Sequence, residues 1–86
     1  MKHNTHEFIE KVRKLAGGYN YEVSLKEEGK SVGTIWKLRI DNAGVEIKIT
    51  AKHCIITDEE GISKQFNKSQ SEWQQESLDN IETLLK

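Results

Sequence analysis

The sequence predicts an α+β fold: a helix, a three- or four-stranded antiparallel meander sheet, and a C-terminal helix packed on one face. Three observations predict it. Phe8, Ile9, Val12, Leu15 and Ala16 recur at the helical period. From Tyr19 to Ala51 apolar and polar residues alternate, with turn residues breaking the alternation twice. After Ser69 the apolar spacing of Leu78, Ile81, Leu84 and Leu85 is helical again. Two helices laid on one face of a sheet bury those residues together.

The first helix is expected from about Asn4 to Ala16. Asn4 and Glu7 have capping-box spacing, and Glu7 with Lys11 and Glu10 with Lys14 are i,i+4 pairs in the favourable order. Gly17-Gly18 is the expected stop. Tyr19, Tyr21, Val23 and Leu25 then share one face of a strand, with Asn20, Glu22, Ser24 and Lys26 on the other. Glu27 to Ser31 reads as a turn. A second strand is expected over about Thr34 to Asp41, with Trp36, Leu38 and Ile40 inward and Lys37 and Arg39 outward. Asp41-Asn42-Ala43-Gly44 reads as a tight turn, since Asn and Gly accept positive φ. A third strand over about Val45 to Ala51 turns Val45, Ile47 and Ile49 inward.

His53 to Thr57 reads either as a short fourth strand or as the third strand continued after a bend. Asp58-Glu59-Glu60-Gly61 breaks the chain, and Ile62 to Asn67 has no definite pattern. The last helix is expected over about Ser69 to Leu85. Ser69 and Glu72 have capping-box spacing, and Trp73 falls off the apolar stripe, on a second face.

With 86 residues the chain is read as a single domain over 1–86, with a small core. One Cys makes no internal disulfide, no apolar run spans a bilayer, and the N-terminus lacks the apolar stretch of a signal peptide. A cytoplasmic protein that does not enter a membrane is therefore expected. The formal net charge of −1 argues against a uniformly basic nucleic-acid binder.

The residues that carry chemistry form no catalytic or metal set. His3 and His6 are three apart near the terminus, and adjacent His53 and Cys54 point to opposite faces of a strand. Cys54 beside Ile55 and Ile56 reads as a small core residue. Gly29 and Gly33 lack the Lys-Ser/Thr of a phosphate cradle. No catalysis, cofactor or metal is expected.

Charge is divided along the chain. Residues 1–57 hold ten basic and seven acidic side chains, net +3, and residues 58–86 hold three and seven, net −4. Asp58, Glu59 and Glu60 form one acidic cluster, and Glu72, Glu76 and Asp79 share a helix face. The bland reading is a solvated surface. The functional reading is an acidic surface that docks a protein with a basic one, such as a nuclease's nucleic-acid channel.

A family resemblance points the same way. Tyr21, Val23, Leu25, Thr34, Arg39, Ile40, Asn42, Gly44, Glu46 and Ile49 lie in an ungapped similarity over about residues 20–49. Glu7-Phe8-Ile9 and Trp73-Gln74-Gln75-Glu76 extend it. In these the chain resembles small prophage-encoded type II-A anti-CRISPR proteins, inhibitors of the single-chain RNA-guided CRISPR effector nuclease. The resemblance implies a helix, a three-stranded sheet and C-terminal helices. It also implies partial DNA mimicry, with acidic groups offered to arginines that read the protospacer-adjacent motif. Asn42, Gly44 and Glu46 match that surface. Asn20 and Ala43 stand where the family has aspartates, and Asp41 offers a carboxylate one residue away.

The function expected is stoichiometric inhibition of a host nuclease, through Asp41, Asn42, Gly44, Glu46, Asp58, Glu59, Glu60, Glu72, Glu76 and Asp79. One alternative is a nucleic-acid-binding module. The helix-meander-helix order is similar to the double-stranded-RNA-binding domain, and Lys11, Lys14, Lys37, Arg39 and Lys48 would supply the charge. The other is a homodimerising protein of unknown role.

Overall fold

The first apolar stripe forms α1, Thr5–Gly18, in the computed structural model, which describes residues 5–30 and 33–86. Asn4 of the expected capping box, His3 and Ser31 lie outside the described residues. Phe8, Ile9, Val12 and Ala16 are buried. The helix runs through Gly17 and Gly18, the expected stop, and closes two residues later. Asn20 takes the left-handed conformation, φ 64°. The Tyr21 N–H donates to Ala16 O at 2.9 Å and the Asn20 N–H to Gly17 O at 3.0 Å. This is a Schellman closure with Asn in the place glycine usually takes.

Five strands follow: β1 Val23–Lys30, β2 Gly33–Ile40, β3 Val45–Ile49, β4 His53–Thr57 and β5 Ser63–Asn67. They form one antiparallel meander in sequence order. The fold class is as expected, with a longer sheet. His53–Thr57 is a fourth strand, and the indefinite stretch after Ile62 supplies a fifth. Glu27 to Lys30, expected in a turn, belong to β1, with Glu27 opposite Trp36 and Gly29 opposite Thr34. β3 ends at Ile49 because Thr50 closes a tight turn: the His53 N–H donates to Thr50 Oγ1 at 3.0 Å, and the Thr50 N–H to His53 O at 2.9 Å.

The register stacks apolar residues across the strands. Leu25, Leu38, Ile47 and Ile56 form one row, and Trp36, Ile49, Cys54 and Phe66 another. Leu38, Ile40, Ile47, Ile49 and Cys54 are fully buried under the helices.

An odd number of strands returns the chain to the end where it began, so the second helix starts beside the start of the first. This is α2, Trp73–Leu85. Phe8 packs on Trp73 with ring centroids 5.0 Å apart. Lys11 Nζ donates to Gln74 Oε1 at 3.3 Å, and the Tyr19 hydroxyl to Glu82 Oε2 at 3.2 Å. These pairs climb both helices together, so α1 and α2 run parallel.

α2 begins later than expected. The Ser69 N–H and Oγ both bond Asn67 Oδ1, at 2.9 and 2.8 Å, so Ser69 caps no helix. Trp73 lies on the buried stripe, not off it. Trp73, Ser77, Ile81 and Leu85 face the core, while Leu78 and Leu84 are half-buried. A polar Ser77 within the stripe hides its continuity from a purely apolar count.

Lys68 ties these parts together. It is 5% exposed, and its ammonium donates to Thr5 Oγ1 at 3.0 Å and to Thr50 O at 2.9 Å, lying 5.4 Å from the Trp73 ring centroid. One amine thus joins the start of α1, the β3–β4 turn and the start of α2. Burial lowers its pKa, and it forms no ion pair among the described residues. Lys68→Ala removes both hydrogen bonds and the cation–π contact, and is expected to lower the unfolding free energy by about 1–3 kcal/mol. A urea titration measures it, and an unchanged midpoint would contradict the clamp.

Candidate functional site

The residues singled out in the sequence fall into two groups. The β2–β3 turn and the β4–β5 turn lie at the same end of the sheet and touch. The first is a single turn of 3-10 helix, Asp41–Ala43, followed by Gly44 at φ 67°. A Cβ on Gly44 would come within 2.8 Å of Glu59 Cβ. Glycine is needed here twice: for the left-handed backbone and for the approach of the second turn. A shallow depression of about 270 Å³ is lined by Gly44, Glu46, Asp58 and Glu59 together with Arg39. A second of about 200 Å³ joins Ala43, Val45, Glu59 and Glu60 to Leu84 of α2. Asp41, Asn42, Gly44, Glu46, Asp58, Glu59 and Glu60 are therefore brought to one end of the molecule.

Glu72, Glu76 and Asp79 are elsewhere. They line neither depression and lie exposed on the outer side of the helix layer. Asp79 accepts a hydrogen bond from Gln75 Nε2 at 2.9 Å, and Glu72 precedes the first turn of α2.

Within the turn-end group the carboxylates differ in what they are free to do. Asp58 is structural: its Oδ1 accepts the N–H groups of Glu60, at 2.9 Å, and Ile62, at 3.0 Å, closing its own turn. Asp41 is engaged by Ser24 Oγ at 3.0 Å and by Arg39 Nε at 3.4 Å. Glu46 sits on the open face of the sheet, in register with Arg39. Glu46, Glu59 and Glu60 are exposed and form no ion pair among the described residues.

The helices reinforce this end. Leu84 lines a depression beside the two turns, so α2 points its C-terminus there, and α1 runs parallel to it. Neither helix has a basic residue in its last turn; Lys86, just beyond α2, donates its backbone N–H to Glu82 O. Each helix C-terminus carries roughly half a negative charge, which adds to the field of the carboxylates.

Ile62, directly after the acidic turn, is a large apolar side chain left 62% exposed here. Sequence reasoning passed over it because the stretch it opens has no periodicity. It also missed Lys26 among the basic residues. In register, Lys26, Lys37 and Lys48 stand in one row across β1, β2 and β3, on the face the helices leave open.

Cys54 faces the core beneath α2. Burial pushes its thiol up to about 11, against smaller opposing effects of Ser77 and Lys68. The Ser77 hydroxyl beside it is fully buried and makes no hydrogen bond of acceptable geometry. His53 lies on the opposite face of β4. Among the described residues, no three His, Cys, Asp or Glu side chains group as metal ligands, and no helix is long and apolar enough to cross a membrane.

No protein-family model matches the chain, and no curated protein or solved structure shows significant similarity to it.

Gly44→Ala forces a side chain into the left-handed region and against Glu59, so it is expected to destabilise by at least about 1–2 kcal/mol. Thermal unfolding tests this; an unchanged midpoint would mean that the two turns do not press together. Alkylation of Cys54 by iodoacetamide at pH 8 should be far slower in the native protein than in urea, as a protonated, buried thiol requires. Equal rates would contradict its placement.

Proposed function

We propose that this chain is a small non-enzymatic binding protein that docks, through the acidic end of its sheet, on a basic protein surface that otherwise holds nucleic acid. The observation that carries this reading is the contact of the two turns. It places Glu59 and Glu60 at the end to which both helices point their negative termini, with Glu46 of β3 across a shared depression from Glu59. The groups offered there are hydrogen-bond acceptors, as the phosphates of nucleic acid are. Ile62 adds one apolar anchor beside them, in the way interface cores join a desolvated side chain to a charged rim.

A nuclease channel is the partner that fits, and stoichiometric blockade is the mode of action. The resemblance to anti-CRISPR proteins over residues 20–49 makes an RNA-guided CRISPR effector the first to try, with a prophage as the source the resemblance implies. The five-stranded sheet is longer than the three-stranded one the resemblance implies. β4, β5 and their acidic turn are therefore this chain's own contribution to the docking surface. Asp41 and Asp58 hold the turns in shape, while Glu72, Glu76 and Asp79 are peripheral.

The test is a cleavage assay with a panel of RNA-guided nucleases and a several-fold molar excess of the protein. At least one should be inhibited. The double reversal Glu59→Lys/Glu60→Lys should weaken that inhibition at least tenfold, and Glu72→Lys/Glu76→Lys by less than threefold. Inhibition of none, or loss in the second variant only, would overturn the reading.

A further inference from the structure

The sheet has a second face. α1 and α2 cover one side, and the other is left to solvent. On that open side the register sets Lys26 opposite Lys37 and Lys37 opposite Lys48. Neighbouring strands are about 4.8 Å apart, so three ammonium groups are anchored within about 10 Å on adjacent strands. Arg39 stands one step along, in register with Ser24 and Glu46.

Like charges directly opposite in a sheet are destabilising, whereas alternating signs would stabilise and solubilise equally well. Protection of a sheet edge does not account for the row, because only Lys26 is on an edge strand while Lys37 and Lys48 are on interior ones. The counter-ions present are weak. Lys37 meets Glu28 at 3.5 Å and Arg39 meets Asp41 at 3.4 Å, both solvent-accessible pairs, and Lys26 and Lys48 form no ion pair among the described residues. Such exposed pairs contribute little and are readily exchanged for a polyanion.

We propose that the open face of the sheet, centred on the row Lys26, Lys37 and Lys48, binds the phosphate backbone of duplex nucleic acid without reading its sequence. Two features select this occupant. The row itself offers cations that suit phosphate, with Ile35 and Ile55 as apolar neighbours and Glu28 and Glu46 as the carboxylates of the same face. No Phe, Tyr or Trp lies on that face among the described residues, since Trp36 and Phe66 belong to the covered side. Without rings to stack on, a single strand gains nothing over a duplex, which carries twice the charge per length. The proposal does not depend on the acidic docking surface, whose Glu59 and Glu60 lie at the turn end and whose Glu46 borders the open face beside Arg39, one step from the row.

Fluorescence anisotropy of the full chain with a labelled 20-base-pair DNA duplex, from 20 to 150 mM KCl, tests it. Binding is expected at low salt, equal for a shuffled sequence, with a slope of log affinity against log salt of about −3 for three phosphate contacts. Lys26→Gln and Lys48→Gln singly should each weaken binding several-fold and reduce the slope by about one. The triple variant K26Q/K37Q/K48Q should abolish it, and K26R/K37R/K48R should restore it. Lys11→Gln/Lys14→Gln on α1 should change affinity less than twofold. No binding at 20 mM KCl overturns the proposal. So does equal loss in the α1 variant, tighter binding of the single strand, or binding of poly-glutamate in place of the duplex.

Discussion

Side chains alternate along a β-strand, and this chain has helices enough to cover only one side of its sheet. That constraint shapes the rest of the molecule. Leu38, Ile40, Ile47, Ile49, Cys54 and Ile56 are buried because α1 and α2 lie over them. Their neighbours in sequence, Lys37, Arg39, Glu46, Lys48 and Ile55, must therefore face outward together. A one-residue slip in any strand would exchange the two sets, so the packing of the core also fixes the charge pattern of the open face.

The odd strand count has a second consequence. It brings both helices back in the same direction, with Thr5 and Trp73 gathered around Lys68 at one end and Leu84 beside the acidic turns at the other. A buried lysine without a carboxylate partner is an unusual choice for a clamp, and burial lowers its pKa accordingly. Its three neighbours are the first residues of the two helices and the β3–β4 turn, so it pins both helix starts to the sheet end. At the opposite end the two turns are locked by Gly44 against Glu59. Acidic turns and helix C-termini thus meet at one pole and a lysine row crosses the open face, with Arg39 and Glu46 between them, while the formal net charge is −1.

Much of this was legible in the sequence. The stripe of Phe8, Ile9, Val12 and Ala16 marked α1, and the alternation from Trp36 to Ile49 marked β2 and β3 with their faces assigned as observed. What escaped was set by tertiary partners. Asn20, not Gly17 or Gly18, closes α1, because its left-handed backbone turns the Tyr21 amide back onto the Ala16 carbonyl, which also accepts the Tyr19 amide. Glu27 to Lys30 form strand because Gly33 to Trp36 pair with them, although their composition is that of a turn. Ser69 looked like a helix cap, but Asn67 claims its hydroxyl and amide. Among the acidic residues, Glu76 and Asp79 lie on the exposed side of α2, while Glu72, expected on the same helix face, precedes the helix. Nothing in the spacing told that the turn at 58–61 would press on the one at 41–44. The lysine row was half visible: the outward side of each strand was readable, but the register that aligns Lys26 with Lys37 and Lys48 is a property of the paired sheet.

The central claim is that this small sheet gathers carboxylates at its turn end and lysines across its open face, the two sets meeting at Arg39 and Glu46, and that each set has its own kind of partner. An NMR titration of the ¹⁵N-labelled chain with two probes, a short DNA duplex and poly-lysine, tests it most directly. The duplex should shift the amides around Lys26, Lys37 and Lys48. Poly-lysine should shift those around Glu59 and Glu60. Shifts at the same residues with both probes, or confined to α1 and α2 with either, would contradict the separation.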